Sequence, residues 1–436
     1  MRPSTLETQI SRTIGGAGQP LTRAVIEAWQ TERLRAVVSY CRERSPFYRR
    51  TLDAAGIAAV NGLADLPALP LTSEAELRAH GSEMVCVSQD AVARIVTLHS
   101  SGTTGAPKRL YFTEDDLERT MEFFHIGIQH LVDPGQQVAI HLPGATPDST
   151  GHLLARALER MQAPSHILGL VTAPEQTSRA LAQIQPDVLV GFPVQLLAVA
   201  RTAAALAIPL ARVRSVLFCS DYVPDSLSME LQRLLGCEIF THYGTVETGL
   251  GGGVDCAAHC GCHLREADLL FEVIDPHTTA PLAAGEWGEI VFTTLTRTGM
   301  PLIRYRSSDY GRLSPGVCAC GSVVLRLDRV LGRINQIRTL ENGVRLGMPD
   351  LDEQLFSIPG LLDFKAHLTQ VNGRETLHLR LTTLPGCGEE VQRQCGEAMR
   401  RHPLLQGLAC TLDLAPGPTI HPGKRILEDN RKDIQP

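Results

Sequence analysis

At about 150 residues per domain, the 436 residues are too many for one ordinary domain, and two or three are expected. Hydrophobic residues make up 43%, enough for sizeable cores, and the formal net charge of −6 excludes a large cationic surface for nucleic acid. The first twenty residues lack an apolar signal core, and no run reaches the roughly 18 apolar residues of a membrane span, so a soluble cytoplasmic protein with no membrane partner is expected.

Apolar residues recur at helical spacing from Leu21 to Cys41. Ser45 and Pro46 then read as the start of a second, short helix. Residues 93–98 ("ARIVTL") read as a buried strand leading into a loop rich in hydroxyls and glycine, and "EDDLERTMEFFHIGIQHL" as a helix after it. Strand-like "QVAIHL", "DVLVGF", "VRSVLFCS" and "EIFTHYGT" then alternate with helices near 151–162, 175–185, 194–206 and 225–235. That alternation implies a parallel sheet with helical crossovers. From about residue 268 the rhythm changes to strands alone ("LLFEVID", "GEIVFTTL", "LIRYRSSD"), a β-rich subdomain over about 268–330. After Gly332 a helix near 350–357, strand "FKAHLTQV", the hairpin signal Asn372-Gly373, strand "TLHLRLTTL", a helix at 388–401 and strand "LACTLDL" describe a small α+β unit. The expected fold class is therefore α/β. A large N-terminal domain (1–332) has mostly parallel sheet flanked by helices plus the β-rich part, and a small, mobile α+β domain (333–436) follows.

Five segments carry chemistry. In "SSGTTGAPK" (100–108), backbone N–H groups freed by Gly102 and Gly105 can cradle phosphate oxygens. Ser100, Ser101, Thr103 and Thr104 add hydroxyls, and Lys108 adds a point charge. The spacing is not that of a Walker A loop, because the lysine follows Ala-Pro. "THYGTVETG" offers Tyr243 for a purine, Gly244 and Thr245 for phosphate, and Glu247 for Mg²⁺, a hard cation that prefers oxygen. In "RYRSSDYGRL", Asp309 can accept from both ribose hydroxyls, and Arg304 or Arg306 can pair with a phosphate. "GRINQIR" places Arg333 at the inferred domain boundary. "HPGKRILEDNR" puts Lys424 on a flexible loop near the C-terminus.

The order of these segments resembles the adenylate-forming superfamily of acyl-CoA synthetases, peptide-synthetase adenylation domains and luciferases, across essentially the whole chain. "SPFYRRTLDAAGI", "MPLIRYRSSDYGRL" and the paired cysteine segments look like its phenylacetate–CoA ligase branch. The resemblance implies that Ser100 to Lys108 wrap the β,γ-phosphates, and that Tyr243, Gly244 and Thr245 border adenine and the α-phosphate. Ser220, Asp221 and His242 join the nucleotide and acyl pocket. Glu247 holds Mg²⁺, Asp309 binds ribose, Arg333 marks the hinge, and Lys424 enters for adenylation. A cation there lowers the barrier as charge builds on the α-phosphate. The expected reaction uses ATP and a carboxylic acid to form an acyl-adenylate, then a thioester with CoA. Homodimers are common among relatives. The hinge departs from the family's usual Gly-Arg-x-Asp-Asp, because Asn335 and Gln336 replace both acids. The acceptor alternatives are therefore a carrier-protein thiol or an amine, and a third reading is a non-catalytic nucleotide-binding relative.

Cys256, His259, Cys260, Cys262 and His263, followed by Cys318 and Cys320, point to a closed four-ligand zinc site. The resemblance selects Cys256, His263, Cys318 and Cys320, with Cys260 and Cys262 as rivals for the first pair. The other seven cysteines read as small buried hydrophobes. The resemblance places the acyl pocket between the helix after the phosphate loop and the strand ends, with Phe124, His125, Ile128, Pro143, Gly144, Phe192, Ser220, Asp221 and His242 as candidates. The polar ones, Ser220, Asp221 and His125, favour a hydroxylated or otherwise polar acid over a long alkyl chain, and with the resemblance the expected substrate is an aromatic or small polar acid.

Overall fold

The structure, a computed structural model, describes residues 4–14, 20–98, 107–371 and 373–431. It forms two compact units. One is Met1–His130, Arg156–Arg160 and His242–Val330; the other is Leu131–Ala155, Met161–Thr241 and Leu331–Pro436. The chain passes into the second unit for the last time at Leu331, beside the Gly332-Arg333 pair, and the C-terminal segment groups with 131–241.

In the first unit, helices Arg23–Arg44 and Pro46–Ala54 meet at Ser45. The Ser45 N–H closes the first helix on Cys41, its hydroxyl accepts from Tyr48 N–H, and Pro46 occupies a position where a missing N–H costs nothing. The three strands expected after residue 268 form an antiparallel sheet of Leu269–Ile274, Gly288–Thr294 and Tyr305–Gly311 in that order. Every residue of the middle strand is buried. Tyr305–Gly311 alternates buried and half-buried, the period-2 pattern of a strand with one face inward.

Strand Arg94–Leu98 differs from expectation. It is not buried: Ile95 is 51% exposed. It pairs antiparallel with a strand that sequence periodicity did not flag, Lys108–Phe112, with Leu98 opposite Lys108. The two ends of the hydroxyl-rich segment are thus held side by side by backbone hydrogen bonds.

The second unit contains the expected parallel sheet. Its spatial order is Glu238–Tyr243 (whose last two residues belong to the first unit), Ser215–Phe218, Val188–Gly191, Val138–His141 and Ser165–Ile167. Three of these strands are buried at every position, as crossover helices on both faces require. Helix Pro193–Ala205 is buried from Pro193 to Ala203, so it too is covered on both sides. One cover is the C-terminal α+β sheet, ordered Ala409–Leu414, Arg374–Thr383, Leu361–Val371 and Leu427–Asp429; the last of these short strands was not foreseen. Arg201 of the buried helix donates to the carbonyls of Phe356 (2.7 Å) and Leu361 (2.5 Å), which fastens the two layers. Strands Leu361–Val371 and Arg374–Thr383 pair as the predicted hairpin, with Val371 opposite Arg374 and Gly373 at φ +74°; Asn372 lies outside the described residues.

His141 ends a central strand, fully buried, with Nδ1 3.2 Å from the Gly169 carbonyl oxygen. Burial pushes its titration down to about 4. Below the ordinary histidine value of about 6.5 the unfolded chain takes up a proton that the folded one refuses, so stability falls as pH drops from about 6.5 to about 4. Between pH 7.5 and pH 5.0 this one group accounts for about 2 kcal/mol. Chemical denaturation at the two pH values should show His141→Gln losing about 2 kcal/mol less than wild type. An equal loss in both would remove His141 from the acid sensitivity.

Candidate active site

Four distant stretches of the first unit meet at one buried carboxylate. Glu247 and Lys108 are each 4% exposed and form a direct ion pair. Tyr305 donates its hydroxyl to the same Glu247 oxygen at 3.2 Å, and Glu74 lies 3.3 Å from the Lys108 ammonium. Tyr243 donates its hydroxyl to Asp309 at 3.0 Å, and both are buried. Burial, then the Asp309 charge, holds the Tyr243 phenol well above its usual range. Lys108, Tyr243, Glu247 and Asp309 were all expected at a nucleotide site. Tyr305 and Glu74 were not, although Tyr305 lies within the quoted "RYRSSDY".

The turn between Tyr243 and Glu247 is built by its own hydroxyls. Thr245 N–H donates to Thr248 Oγ1 at 3.0 Å, and Thr248 N–H returns a bond to Thr245 Oγ1 at 3.3 Å. Gly244 is required by close approach: a Cβ there would lie 2.6 Å from the Leu250 carbonyl oxygen and 2.7 Å from His242 Cε1. The His242 ring packs 5.9 Å from Phe123 and 6.4 Å from Phe124. Burial pushes it down to about 4, so it is neutral at physiological pH. Of the acyl-pocket candidates in this unit, Phe124 therefore meets His242, and Ile128 is buried. His125 turns to the Ala157 carbonyl, 3.4 Å away.

In the second unit, Ser220 carries a left-handed backbone (φ +74°), strained for a residue with a Cβ. Asp221 follows it. Burial raises its carboxyl, while Arg425 and Lys424 pull the other way. Lys424 is exposed, but its loop is tied down: Gln195 donates to the Pro422 carbonyl at 3.1 Å, and Ile420 N–H donates to Thr172 at 3.1 Å. The neighbouring Arg425 is the anchor. It pairs with Asp352, bonds Asp363 at 3.1 Å, and stacks on Phe364 (4.3 Å) and Phe356 (4.9 Å). One guanidinium faces three carboxyls, and burial lifts Asp352 to about 7. Arg333 is half-buried and precedes a single short turn, Ile334–Gln336. Pro143 accepts from Gly151 N–H at 2.8 Å, Gly144 packs against Ile167, and Phe192 precedes helix Pro193–Ala205. Ser100, Ser101, Gly102, Thr103, Thr104 and Gly105 lie outside the described residues.

The two arginines offered for phosphate differ in how far they are committed. Arg304 is buried and committed to Glu272 (3.0 and 3.1 Å) and to the carbonyls of Pro67 and Leu69. Arg306 is committed to Glu289 at 2.6 Å. Arg304 thus holds the β-rich sheet with all three nitrogens engaged, whereas Arg306, with its side chain 32% exposed, pairs with Glu289 through one edge of its guanidinium.

The cysteine segments do converge. Cys256, His263, Cys318 and Cys320 are buried with their ligand atoms all within 4.8 Å of one another. Cys256 Sγ lies 3.8 Å from Cys318 Sγ, and Cys320 Sγ lies 3.4 Å from His263 Nε2. The rivals Cys260 and Cys262 lie outside this cluster: Cys260 is exposed, and Cys262 is buried at the start of strand Cys262–Leu264; His259 pairs with Asp255 at 3.0 Å. Of the seven remaining cysteines, Cys41, Cys86, Cys219, Cys237 and Cys395 are buried; Cys387 and Cys410 are half-buried.

The sequence matches the AMP-binding enzymes over residues 14–296. A phenylacetate-coenzyme A ligase from Thermus thermophilus is 31% identical over 364 residues, 78% of this chain and 77% of that protein. Its counterpart from Escherichia coli is 29% identical over 345 residues, 76% of each chain. A solved 2-hydroxyisobutyryl-CoA ligase, in the postadenylation state with 2-HIB-AMP, shares the fold with a TM-score of 0.80, 19% identity, and coverage of 94% of this chain and 91% of that one. The chain belongs to the AMP-binding enzyme family and is an AMP-forming acid–CoA ligase.

Removing Lys108 would leave Glu247 as a buried charge without its main counter-ion. Lys108→Met should lower stability by about 3–5 kcal/mol, measured by chemical denaturation at neutral pH. The double variant Lys108→Met with Glu247→Gln should recover most of that loss. No recovery would mean that the ion pair is not what the lysine supplies.

Proposed function

We propose that the enzyme activates an aromatic or small polar carboxylic acid in two steps. In the first, a carboxylate oxygen attacks the α-phosphorus of ATP, the bond to the β-phosphate oxygen breaks, and pyrophosphate leaves an acyl-adenylate. In the second, the CoA thiolate attacks the acyl carbon and AMP departs with the bonding pair. The mixed anhydride turns a poor electrophile into a reactive one. The observation that supports this best is the meeting of Lys108, Tyr243, Glu247, Tyr305 and Asp309, drawn from stretches up to about 200 residues apart.

On this reading Tyr243 and Gly244 border the adenine, Asp309 accepts from the ribose hydroxyls, and Thr245 meets the α-phosphate. Lys108 exchanges its carboxylate partner for phosphate oxygens, which suits a point charge on a flexible stem. Ser100 to Gly105 supply the remaining donors. Glu247, an oxygen donor freed by that exchange, would hold Mg²⁺, which neutralises phosphate charge when bound. Lys424 meets the developing charge on the α-phosphate, steadied from its neighbour Arg425. Arg333 serves as the hinge between a large domain, 1–332, and a small lid, 333–436. Ser220, Asp221 and His242 line the nucleotide and acyl pocket. The acyl class rests on the names of the curated relatives and on the neutral His242 ring against Phe124.

Three thiols and an imidazole within 4.8 Å, all buried, suit a structural zinc ion held by Cys256, His263, Cys318 and Cys320. Zinc would tie the segment after Glu247 to the β-rich part. A cytoplasmic location and a homodimeric assembly complete this reading.

Carboxylate-dependent ATP–pyrophosphate exchange over aryl, arylacetic, hydroxy and short aliphatic acids tests the first step. Exchange is expected with some aromatic or small polar acid, and Lys424→Ala should cut it by about 100-fold or more while ATP still binds. Unchanged exchange in Lys424→Ala would remove the lysine from the mechanism. Elemental analysis of protein purified without chelators should find one zinc per chain, lost in Cys318→Ser with Cys320→Ser. Metal-free protein that folds normally would end the zinc assignment.

A further inference from the structure

Helix Asp225–Leu235, which follows the Ser220–Asp221 loop, has no cap of its own. Its N-cap residue is Pro224, whose side chain carries no oxygen, and no side-chain cap bond is made there. A carboxylate from far along the chain takes that place. Both oxygens of Glu353, 128 residues on, lie 3.1 Å from the Asp225 backbone nitrogen, whose N–H they accept. The Tyr222 hydroxyl donates to Glu353 Oε1 at 2.6 Å. A negative charge at a helix N-terminus also suits the helix dipole. One carboxylate therefore ties both ends of the short stretch 222–225.

The residues just before that stretch need an outside hold. Ser220 is left-handed at φ +74°, and such a backbone persists only where its surroundings fix it. The bonds inside the loop are local: Asp221 N–H donates to the Cys219 carbonyl and Tyr222 N–H to Asp221 Oδ1, each at 3.0 Å. Glu353 supplies a distant hold and is itself firmly placed. It sits on helix Met348–Leu355, and the carbonyl of the next residue, Phe356, accepts from Arg201 at 2.7 Å. Its neighbour Asp352 pairs with Arg425, the anchor of the Lys424 loop. Two adjacent carboxylates of one helix thus hold two loops, one carrying Lys424 and the other carrying Ser220 and Asp221.

We infer that Glu353 is a positioning residue for the Ser220–Asp221 loop, acting through Tyr222 and the Asp225 amide to keep the loop in the shape that receives the nucleotide. The inference rests on the proposed reading of Ser220 and Asp221 as pocket residues. Glu353 touches no reacting atom in that reading, so its loss weakens substrate binding and spares the chemical step, which raises KM and leaves kcat nearly unchanged.

Two measurements on the full chain test this. In ATP–pyrophosphate exchange, Glu353→Ala should raise the KM for ATP about 5-fold while the maximal rate stays within about 2-fold. Tyr222→Phe should show part of that rise, and Glu353→Gln, which keeps an acceptor oxygen, should recover part of it. In hydrogen–deuterium exchange without substrate, Glu353→Ala should take up deuterium over residues 220–225 about 5-fold faster, with strand Val188–Gly191 unchanged. An unchanged KM, or uptake over 220–225 equal to wild type, would overturn the proposal. If Glu353→Ala does not fold, the same two measurements on Tyr222→Phe, which removes a single hydroxyl, decide. A wild type without pyrophosphate exchange would count against the proposed reaction; ATP affinity by calorimetry then replaces KM, with the same change expected, and unchanged affinity would overturn the role of Glu353 alone.

Discussion

A carboxylate cannot be left in a protein interior without a counter-charge or donors, and at Glu247 that constraint organises the first unit. Its partners come from strand Lys108–Phe112 and strand Tyr305–Gly311, and it sits on the turn after Glu238–Tyr243. Each element must arrive in register, because a one-residue slip would turn Lys108 or Tyr305 to the opposite face of its strand. The antiparallel pairing of Leu98 with Lys108 sets one of those registers, and the alternation along Tyr305–Gly311 sets another.

The same logic recurs with opposite outcomes for function. Arg304 is as buried as Lys108, but its partners saturate it, so it holds the sheet and nothing more. Arg425 is saturated too, by Asp352, Asp363, the Phe364 carbonyl and two aromatic faces. Its neighbour Lys424 is exposed. An exposed cation on a firmly anchored loop combines reach with placement, and the anchor lies one residue away. Buried pairs of this kind contribute little net stability, and their value lies in fixing one arrangement.

Much of the architecture is legible from local pattern. Alternating short apolar strands and helices announce the parallel sheet of the second unit. The strand-only rhythm after residue 268 announces the antiparallel one, and Ser45-Pro46 marks a helix start within one residue. Strand Lys108–Phe112 escaped because it opens on two cations, Lys108 and Arg109, and so does not read as an apolar run. The burial expected for 93–98 was wrong because an apolar run looks alike in a core strand and in a half-exposed hairpin. Among the cysteines, spacing alone left Cys256, Cys260 and Cys262 in competition; in the fold Cys260 is exposed, Cys262 is buried outside the cluster, and Cys256 meets His263, Cys318 and Cys320.

What the sequence determined by itself was therefore the kind of chemistry: the order of the motifs, their hydroxyls, glycines and lysines, and the set of possible metal ligands. These are properties of neighbouring residues. Only the tertiary structure decided which charges meet. Lys108 finds Glu247 across 139 residues, Tyr243 finds Asp309 across 66, and Arg304 and Arg306 find Glu272 and Glu289. Charge pairing is set by distance in space, and no local period along the chain encodes it.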